Sequence, residues 1–587
     1  MGLVAELRRR NVHRMAVLYL VAAWLIMQVA EVLIDLAKLP DWIGTTTLGL
    51  LAIGFPITLI FSWFYELTPE GLSLEKDTGS GESVTHVTGR RMDFIVISLL
   101  CAAVILFAYD KWWIAPPPEL SIAVLPLENL SGDPEQQYFV SGMQDALIAG
   151  LSRVSALRIT SKTSTMQYKN SLLAIPAIGA QLGVARLIEG SIFRVDDRVR
   201  ITIKLVDARA DEQIWSETFE DEVKDVILLQ NEIAQAIAKQ VEVTVTPGEQ
   251  ARLKITKSVN PVAYEAFLKG QFHVERFTRQ DMMLAARYYQ RAVELDPDYA
   301  LAHWGLSKLC AFQSQVGAIT PAEAHVRCLP PIEKALELDD SLPEAHLGYA
   351  VHMMWRQFNW GEARAAFERA IDLNPSYAEA RTFYSHYLAI MGRAEESTEQ
   401  MRLALELDPL NPFVQGLYGA QLLFIDDFHG AAKVIEDVMA STPGFGFGFR
   451  ITWQAYHALG ERNKTITAAA SHFRVTRGNP TGALALEEAY ADGDYTGALL
   501  HAAEVLAEHS KTVHVPPFDI GVLYEYAGET EKAIDWFEIA YRQHDPDAPY
   551  MGVITQSDAL HSNPRFIELL RDMKLNHWAD KYSQPDT

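Results

Sequence analysis

The chain has 587 residues, with 51 Lys and Arg against 75 Asp and Glu and a formal net charge of −24. Such acidity repels phosphate backbones and argues against nucleic-acid binding, while a hydrophobic content of 49% argues against disorder and leaves room for several domains. Three cysteines in so long a chain exclude a disulfide scaffold, and no Cys-x-x-Cys or His-rich spacing offers a metal site.

Three apolar runs crowd the amino-terminal region, at 15–37, 46–65 and 93–114. A run of about 20 apolar residues can cross a bilayer as a helix, because lipid cannot satisfy free backbone amides and a helix satisfies them internally. The expected fold class is therefore a multi-domain membrane protein, with a cytoplasmic stub at 1–14 and three transmembrane helices within 15–115. Arg8, Arg9, Arg10 and Arg14 precede the first run, and Lys76, Arg90 and Arg91 separate the second from the third. Only Lys38 and Lys111 flank the other side. The positive-inside bias then keeps the amino terminus cytoplasmic and sends everything after 115 out. In a two-membrane bacterium this gives a multi-pass inner-membrane protein with a large periplasmic region and the lipid bilayer as one partner.

Trp42, Trp63, Tyr65, Trp112 and Trp113 fall near the run ends, where an amphipathic ring suits the headgroup level. The first run has more apolar length than a cleaved signal peptide needs, and two further runs follow it. Gln28, Glu31 and Asp35 share one helix face. They read either as an ion or signal relay or as a polar face packed on neighbouring spans, the second being the simpler.

Residues 119–248 alternate strand-like and helix-like segments: "SIAVLPLE", an amphipathic run at 137–153, "LRITS", and a helix near 175–183. "ARLIEGSIFRV", "RVRITIKLVDA" and "EQIWSETFE" then alternate in the manner of antiparallel strands, and a helix over 222–243 closes an α/β unit. In "NLSGDPEQQYF", Asn129, Ser131, Gly132, Asp133 and Pro134 form either a ligand loop or, more simply, a turn that caps the next helix.

From 261 onward the sequence recurs with a period near 34, most clearly in "AARYYQRAVELDPDYALAHWGL", "ARAAFERAIDLNPSYAEARTFY" and "STEQMRLALELDPLNPFVQGLY". The register aligns Ala285, Tyr289, Ala292 and Pro297 with Ala363, Phe367, Ala370 and Pro375, with Ser397, Met401, Ala404 and Pro409, and with Ala431, Ile435, Val438 and Pro443. This pattern resembles the tetratricopeptide repeat, an antiparallel helix pair in which small residues permit close approach and proline ends the second helix. About eight repeats fit within 261–547, with an insertion near 312–322, and 548–587 is expected to cap the stack.

The resemblance implies an all-α superhelix with a concave groove for a protein or peptide partner. Carried over from the family register, the groove positions are Trp304, Lys308, His352, Trp355, Thr382, His386, Arg450, Gln454 and His457. Cys310 and Cys328 lie in the two helices of one repeat, where an oxidising compartment would let them pair. Two small residues filling a helix interface is the simpler reading. Cys101 falls inside the third apolar run.

The stretch from "SIAVLPLENLSGDPEQQYFV" through "TSTMQYK", with "LIEGSIFRVDDRVRITIKLVDARADEQIWSETFE", resembles the TolB amino-terminal-like, or FlgO-like, domain. Together with "ELRRRNVHRMAVLYLVAAWL" and "GFPITLIFSWFYELTPEGL" it resembles bacterial inner-membrane proteins that join such spans, a TolB-like domain and tetratricopeptide repeats. Some relatives carry a nucleotide cyclase or winged-helix domain ahead of this cassette, for which 14 residues leave no room.

The resemblance implies an envelope scaffold or sensor. The alternative it implies is the membrane subunit of a signalling system coupled to a cytoplasmic enzyme such as a nucleotide cyclase. No phosphate loop, His-Glu-x-x-His or Gly-x-Ser-x-Gly turn occurs, so no enzyme activity and no cofactor are expected. Homo-oligomerisation stays open.

Overall fold

The computed structural model describes residues 118–243, 245–246, 248–249, 259–274, 279–315, 319–442 and 444–583, and before them 16, 19–20, 23–24, 26–27, 47–49, 51–52, 54–56, 65–68 and 71–74. The chain divides into two compact units, Met1–Pro116 and Pro117–Thr587.

In the first unit the expectation of three transmembrane helices, and with it the multi-pass inner-membrane location, is corrected. Among the described residues no helix is long and apolar enough to cross a membrane. Apolar length in a sequence does not by itself establish an unbroken helix of that length. The described residues of the first run, and those of the second up to 56, are helical, and Tyr19 in the first donates its hydroxyl to the Leu51 carbonyl in the second at 2.7 Å. Tyr65, assigned to a span end, opens a strand instead: β1 (Tyr65–Thr68) pairs antiparallel with β2 (Gly71–Leu74). The run at 93–114, the polar face of Gln28, Glu31 and Asp35, and Cys101 lie outside the described residues.

The second unit begins with a mixed sheet. Strands β3 (Ser121–Val124), β4 (Glu128–Asn129), β5 (Arg158–Ile159), β6 (Arg186–Val195), β7 (Arg198–Asp207) and β8 (Glu212–Glu222) run in the order β5-β3-β6-β7-β8, with β4 also on β6. The β5-β3-β6 side is parallel and the β6-β7-β8 side antiparallel. Ile188 and Ile192 of β6 and Val199, Ile201, Ile203 and Leu205 of β7 bury one face against α1 (Gln137–Ser152) and α4 (Val226–Gln240), which contribute Met143, Leu147, Ile233 and Ile237. Of two small helices, α2 (Lys162–Met166) and α3 (Ile175–Leu182), the second packs Ile178 and Leu182 on the opposite face, against Ala123, Leu187 and Ala208.

The Asn129–Pro134 stretch is a turn held by its own side chains. Ser131 N donates to Asn129 Oδ1 at 3.0 Å, and Glu135 N donates to Asp133 Oδ1 at 2.9 Å, capping the short 3₁₀ turn before α1. Gly132 sits at φ 73°, the left-handed conformation glycine adopts without penalty.

Eight helix pairs follow. They are α5 (Pro261–Val274) with α6 (Arg279–Leu295), α7 (Ala300–Gln315) with α9 (Leu329–Leu338), α10 (Pro343–His352) with α11 (Trp360–Leu373), and α12 (Ala378–Ile390) with α13 (Ala394–Leu407). Then come α14 (Pro412–Phe424) with α15 (Phe428–Ser441), α16 (Gly448–Ala458) with α17 (Arg462–Ser471), α18 (Pro480–Ala489) with α19 (Tyr495–His509), and α20 (Pro517–Tyr526) with α21 (Thr530–Arg542). The insertion in the second pair holds the extra helix α8 (Pro321–Arg327), which starts with a Thr320–Glu323 capping box.

The aligned small–large–small positions are the buried seam: Ala285, Ala292, Ala363, Phe367, Ala370, Ala404, Ala431 and Ile435 are inaccessible to solvent. Close approach is literal at Tyr289, where a Cβ on Gly270 or Gly305 would stand 2.6 or 2.8 Å from the ring. Pro443 lies outside the described residues.

The mixed-sheet domain is docked on this array. Ser376, in the turn after the third pair, receives Ile159 N at 3.1 Å and donates to Leu157 O at 3.1 Å. Ser164 donates to Asp408 Oδ1 at 2.6 Å and receives Leu410 N at 2.9 Å in the turn after the fourth. Inter-repeat turns make part of this contact and α5 the rest: Gln230 Nε2 donates to the Tyr264 hydroxyl at 2.6 Å, and Tyr264, Phe267 and Leu268 share the core of the mixed-sheet domain.

Cys310 of α7 and Cys328, between α8 and α9, are joined as a disulfide, their Cα atoms 5.5 Å apart. Thiol counting checks this: under denaturing conditions one cysteine per chain should react with maleimide before reduction and all three after it. Three reactive thiols before reduction would disprove the bond.

Candidate protein-binding groove

Of the nine groove positions expected from the repeat register, eight are buried or part-buried. His352, Thr382 and His386 are 4%, 0% and 2% exposed, and Trp304 and Gln454 are also buried. Only Lys308 is exposed, with its ammonium 5.0 Å over the Trp304 ring. Thr382 turns its hydroxyl back to the Ala378 carbonyl of its own helix at 2.8 Å, so it offers nothing to a partner.

What fills the space is the chain's own carboxyl-terminal segment, with helices α22 (Met551–Ile554), α23 (Asp558–His561), α24 (Pro564–Asp572) and α25 (Asn576–Ser583). Tyr550 leads it in. Its hydroxyl accepts Trp355 Nε1–H at 3.2 Å and faces His386 Nδ1 at 3.3 Å, while His386 Nε2 meets the Leu417 carbonyl at 2.9 Å. A carbonyl can only accept, so Nε2 carries the proton and Nδ1 receives the Tyr550 hydroxyl. One relay thus ties the third, fourth and fifth pairs to the terminal segment. Burial pushes His386 down to about 4, which keeps it in this neutral, bridging form.

Further along, His577 Nε2 and Trp578 Nε1 both donate to the Ile390 carbonyl, at 2.8 and 2.7 Å, and Trp360 Nε1 donates to Met573 O at 2.8 Å. Tyr550 also stacks on Phe424, ring centroids 5.4 Å apart. At the segment's start, His544 stacks on His325 at 4.4 Å, and His325 faces His352 at 5.8 Å. Burial, with Arg356 and the neighbouring imidazoles, lowers His352 to about 3. No group of three or more His, Cys, Asp or Glu among the described residues is placed to hold a metal ion.

The far end of the groove is electrostatic. Arg450 pairs with Asp547, and Arg477 grips Asp519 through Nε at 2.7 Å and Nη2 at 3.2 Å while reaching Asp547 at 3.3 Å. His457 stacks face to face on Tyr526 at 3.5 Å and meets the Tyr495 hydroxyl at 2.7 Å, and burial takes it down to about 4. Sequence reasoning missed Tyr550, Asp547, His544 and Trp578 because they lie outside the repeat register. Their only signal was an aromatic-rich tail after the last recognisable repeat.

Residues 355–412 match the family model described as tetratricopeptide repeat, and residues 118–236 match the one described as the second domain of HilA/YgeH-like transcriptional regulators. Residues 355–412 are thus tetratricopeptide repeat. A curated relative named "Putative adenylate cyclase 3", from Rhizobium meliloti (strain 1021), is 33% identical over 246 residues, which is 41% of this chain and 42% of that protein. The match therefore spans less than half of the relative's length. Among solved structures, a tetratricopeptide repeat protein from Parabacteroides merdae ATCC 43184 is 14% identical, covers 46% of this chain and 100% of its own, and has a TM-score of 0.31. YrrB, described as a tetratricopeptide protein with an unusual peptide-binding site, is 19% identical, covers 32% and 93%, and has a TM-score of 0.22.

Proposed function

We propose that the chain is a protein-binding scaffold that recognises a protein or peptide partner through its repeat array and performs no catalytic step. The observation that carries this reading is the run of eight stacked helix pairs, of which 355–412 match the tetratricopeptide model. Such arrays present long continuous surfaces built from side chains of successive repeats. The alternation of strands and helices in 119–248 supports reading that domain as TolB amino-terminal-like, here a second body docked on the array.

A second reading, in which the scaffold serves a signalling enzyme such as a nucleotide cyclase, is favoured by the printed name of the curated relative. The two differ in the identity of the partner.

Photo-crosslinking in cells separates them. A crosslinking residue at Lys308, the groove position left exposed, should capture a discrete polypeptide that the same residue at Lys433, on the outer helix of the fifth pair, does not. Identical capture patterns at the two positions would reject groove recognition. A cyclase domain in the captured band would select the second reading.

A further inference from the structure

A groove filled by the chain's own segment poses a steric problem for any partner, and the contacts indicate how it is solved. We propose that segment 544–583 is a displaceable occupant of the groove, whose place is taken by an amphipathic helical segment of the same chemistry. The inference deepens the scaffold reading and rests on it.

Three observations carry it. First, the polar hold on the third to fifth pairs is made by few bonds, beside the apolar packing of Tyr550, Met551 and Ile554 in the shared core: Tyr550 meets Trp355, His386 and Phe424, His577 and Trp578 meet one carbonyl, and Trp360 meets Met573 O. The Tyr550 bonds, at 3.2 and 3.3 Å, lie at the long end of the range.

Second, closure leaves hydrogen bonds unmade. Where His544 enters, His325 Nδ1, His352 Nε2 and His544 Nδ1 are buried without a partner among the described residues. Unsatisfied buried nitrogens oppose the closed arrangement and favour one in which water reaches them.

Third, the segment is built to leave in part. Its helices span only four, four, nine and eight residues, too short to persist alone in water, so the walls hold them in shape. Yet Phe566 packs 6.3 Å from Phe537 of α21, and Arg565 bonds Glu531, Asp535 and Glu538 of the same helix. The segment can therefore quit the third to fifth pairs while tethered to the eighth.

The vacated wall defines what fits. It offers the Trp355 indole N–H, the His386 imidazole, the Phe424 ring and the free Ile390 carbonyl. A competitor needs a tyrosine for the first three and an indole or imidazole N–H for the last, on short amphipathic helices.

The test uses the full-length chain and a fluorescein-labelled peptide of residues 544–583. Tyr550→Ala with Trp578→Ala removes anchors from the segment and leaves the groove wall intact. Wild type should take up no peptide, and the double variant should bind it saturably. By hydrogen exchange, amides of 548–561 and 573–583 in the variant should exchange at least tenfold faster while the third to fifth pairs keep their protection. Loss of protection across all eight pairs together would show one cooperative core and overturn the proposal, as would a loosened segment with no peptide binding. If the peptide binds but Lys308 captures no partner in cells, the displaceable occupant stands and the scaffold reading falls.

Discussion

Arg477→Ala should destabilise the carboxyl-terminal pairs by about 3–5 kcal/mol, the usual cost of leaving a buried charge without its counterion. The magnitude follows from Asp519. Its side chain is 2% exposed and takes two bonds from the Arg477 guanidinium, with His472 Nε2 at 3.3 Å as its other neighbour. Burial alone would raise the Asp519 carboxyl, but Arg477, with His472 and Arg450, outweighs it and holds the group well below the usual carboxylate range. A depressed carboxylate contributes stability that is present above its unfolded value, near 3.8, and is lost only as pH falls through the folded one.

Removing Arg477 reverses the sign. Asp519 then rises above its unfolded value, so the variant regains stability relative to wild type as pH falls from 7 towards 4. Urea unfolding at pH 7 and pH 4.5 should show a large deficit at the first and a smaller one at the second. Arg477→Lys keeps the charge but not the two-pronged grip, and should recover only part of the loss. A deficit that stays constant with pH would mean that packing, and not the stranded carboxylate, is responsible.

The same cluster shows where reading a sequence reaches and where it stops. The repeat seam was legible because its signal is periodic: Ala363, Phe367 and Ala370 recur 34 residues on as Ser397, Met401 and Ala404, and all six are buried. Docking of the terminal segment has no period. Trp355 and Tyr550 are 195 residues apart, and no local propensity of either predicts that they meet. Positions such as His352 and His386, expected to face an open groove, are interior, and Asp519, Glu525 and Asp545 are buried carboxyls that no repeat position marks.

The amino-terminal runs failed for a different reason. Hydropathy reports apolar length, and that length does not by itself establish a helix that spans it. Trp355 and His386 were picked out for a partner's sake, but the hydroxyl that accepts from the first and donates to the second is Tyr550 of the same chain.

Glu525→Gln should have the opposite effect to Arg477→Ala, stabilising the eighth pair by about 3 kcal/mol at pH 8. Glu525 is buried, and its Oε1 receives Gln556 N at 2.8 Å and Ser557 N at 3.2 Å, with no cation bonded to it. Burial drives its carboxyl up to about 7 against those two bonds. A raised carboxyl penalises the folded state above that value, where both forms are ionised, and the penalty fades as pH falls from 7 towards 4.5. Glutamine keeps an oxygen for both amides and carries no charge, so the gain should be full at pH 8 and below about 1 kcal/mol at pH 5.

The wild-type profile gives this its edge. Asp545, also raised to about 7 by burial and by Asp547, gains stability with Glu525 on acidification. His352 and His386, lowered to about 3 and 4, each lose about 2 kcal/mol by pH 5, because the unfolded imidazoles take up protons that the buried ones refuse. His457, lowered to about 4, adds a loss of the same sign, so wild-type stability should fall somewhat between pH 8 and pH 5. Glu525→Gln removes one of the two opposing gains and should make that fall steeper by about 2–3 kcal/mol. Urea midpoints at pH 8, 6.5 and 5 measure it, and an increment equal at all three would assign the effect to packing, not charge.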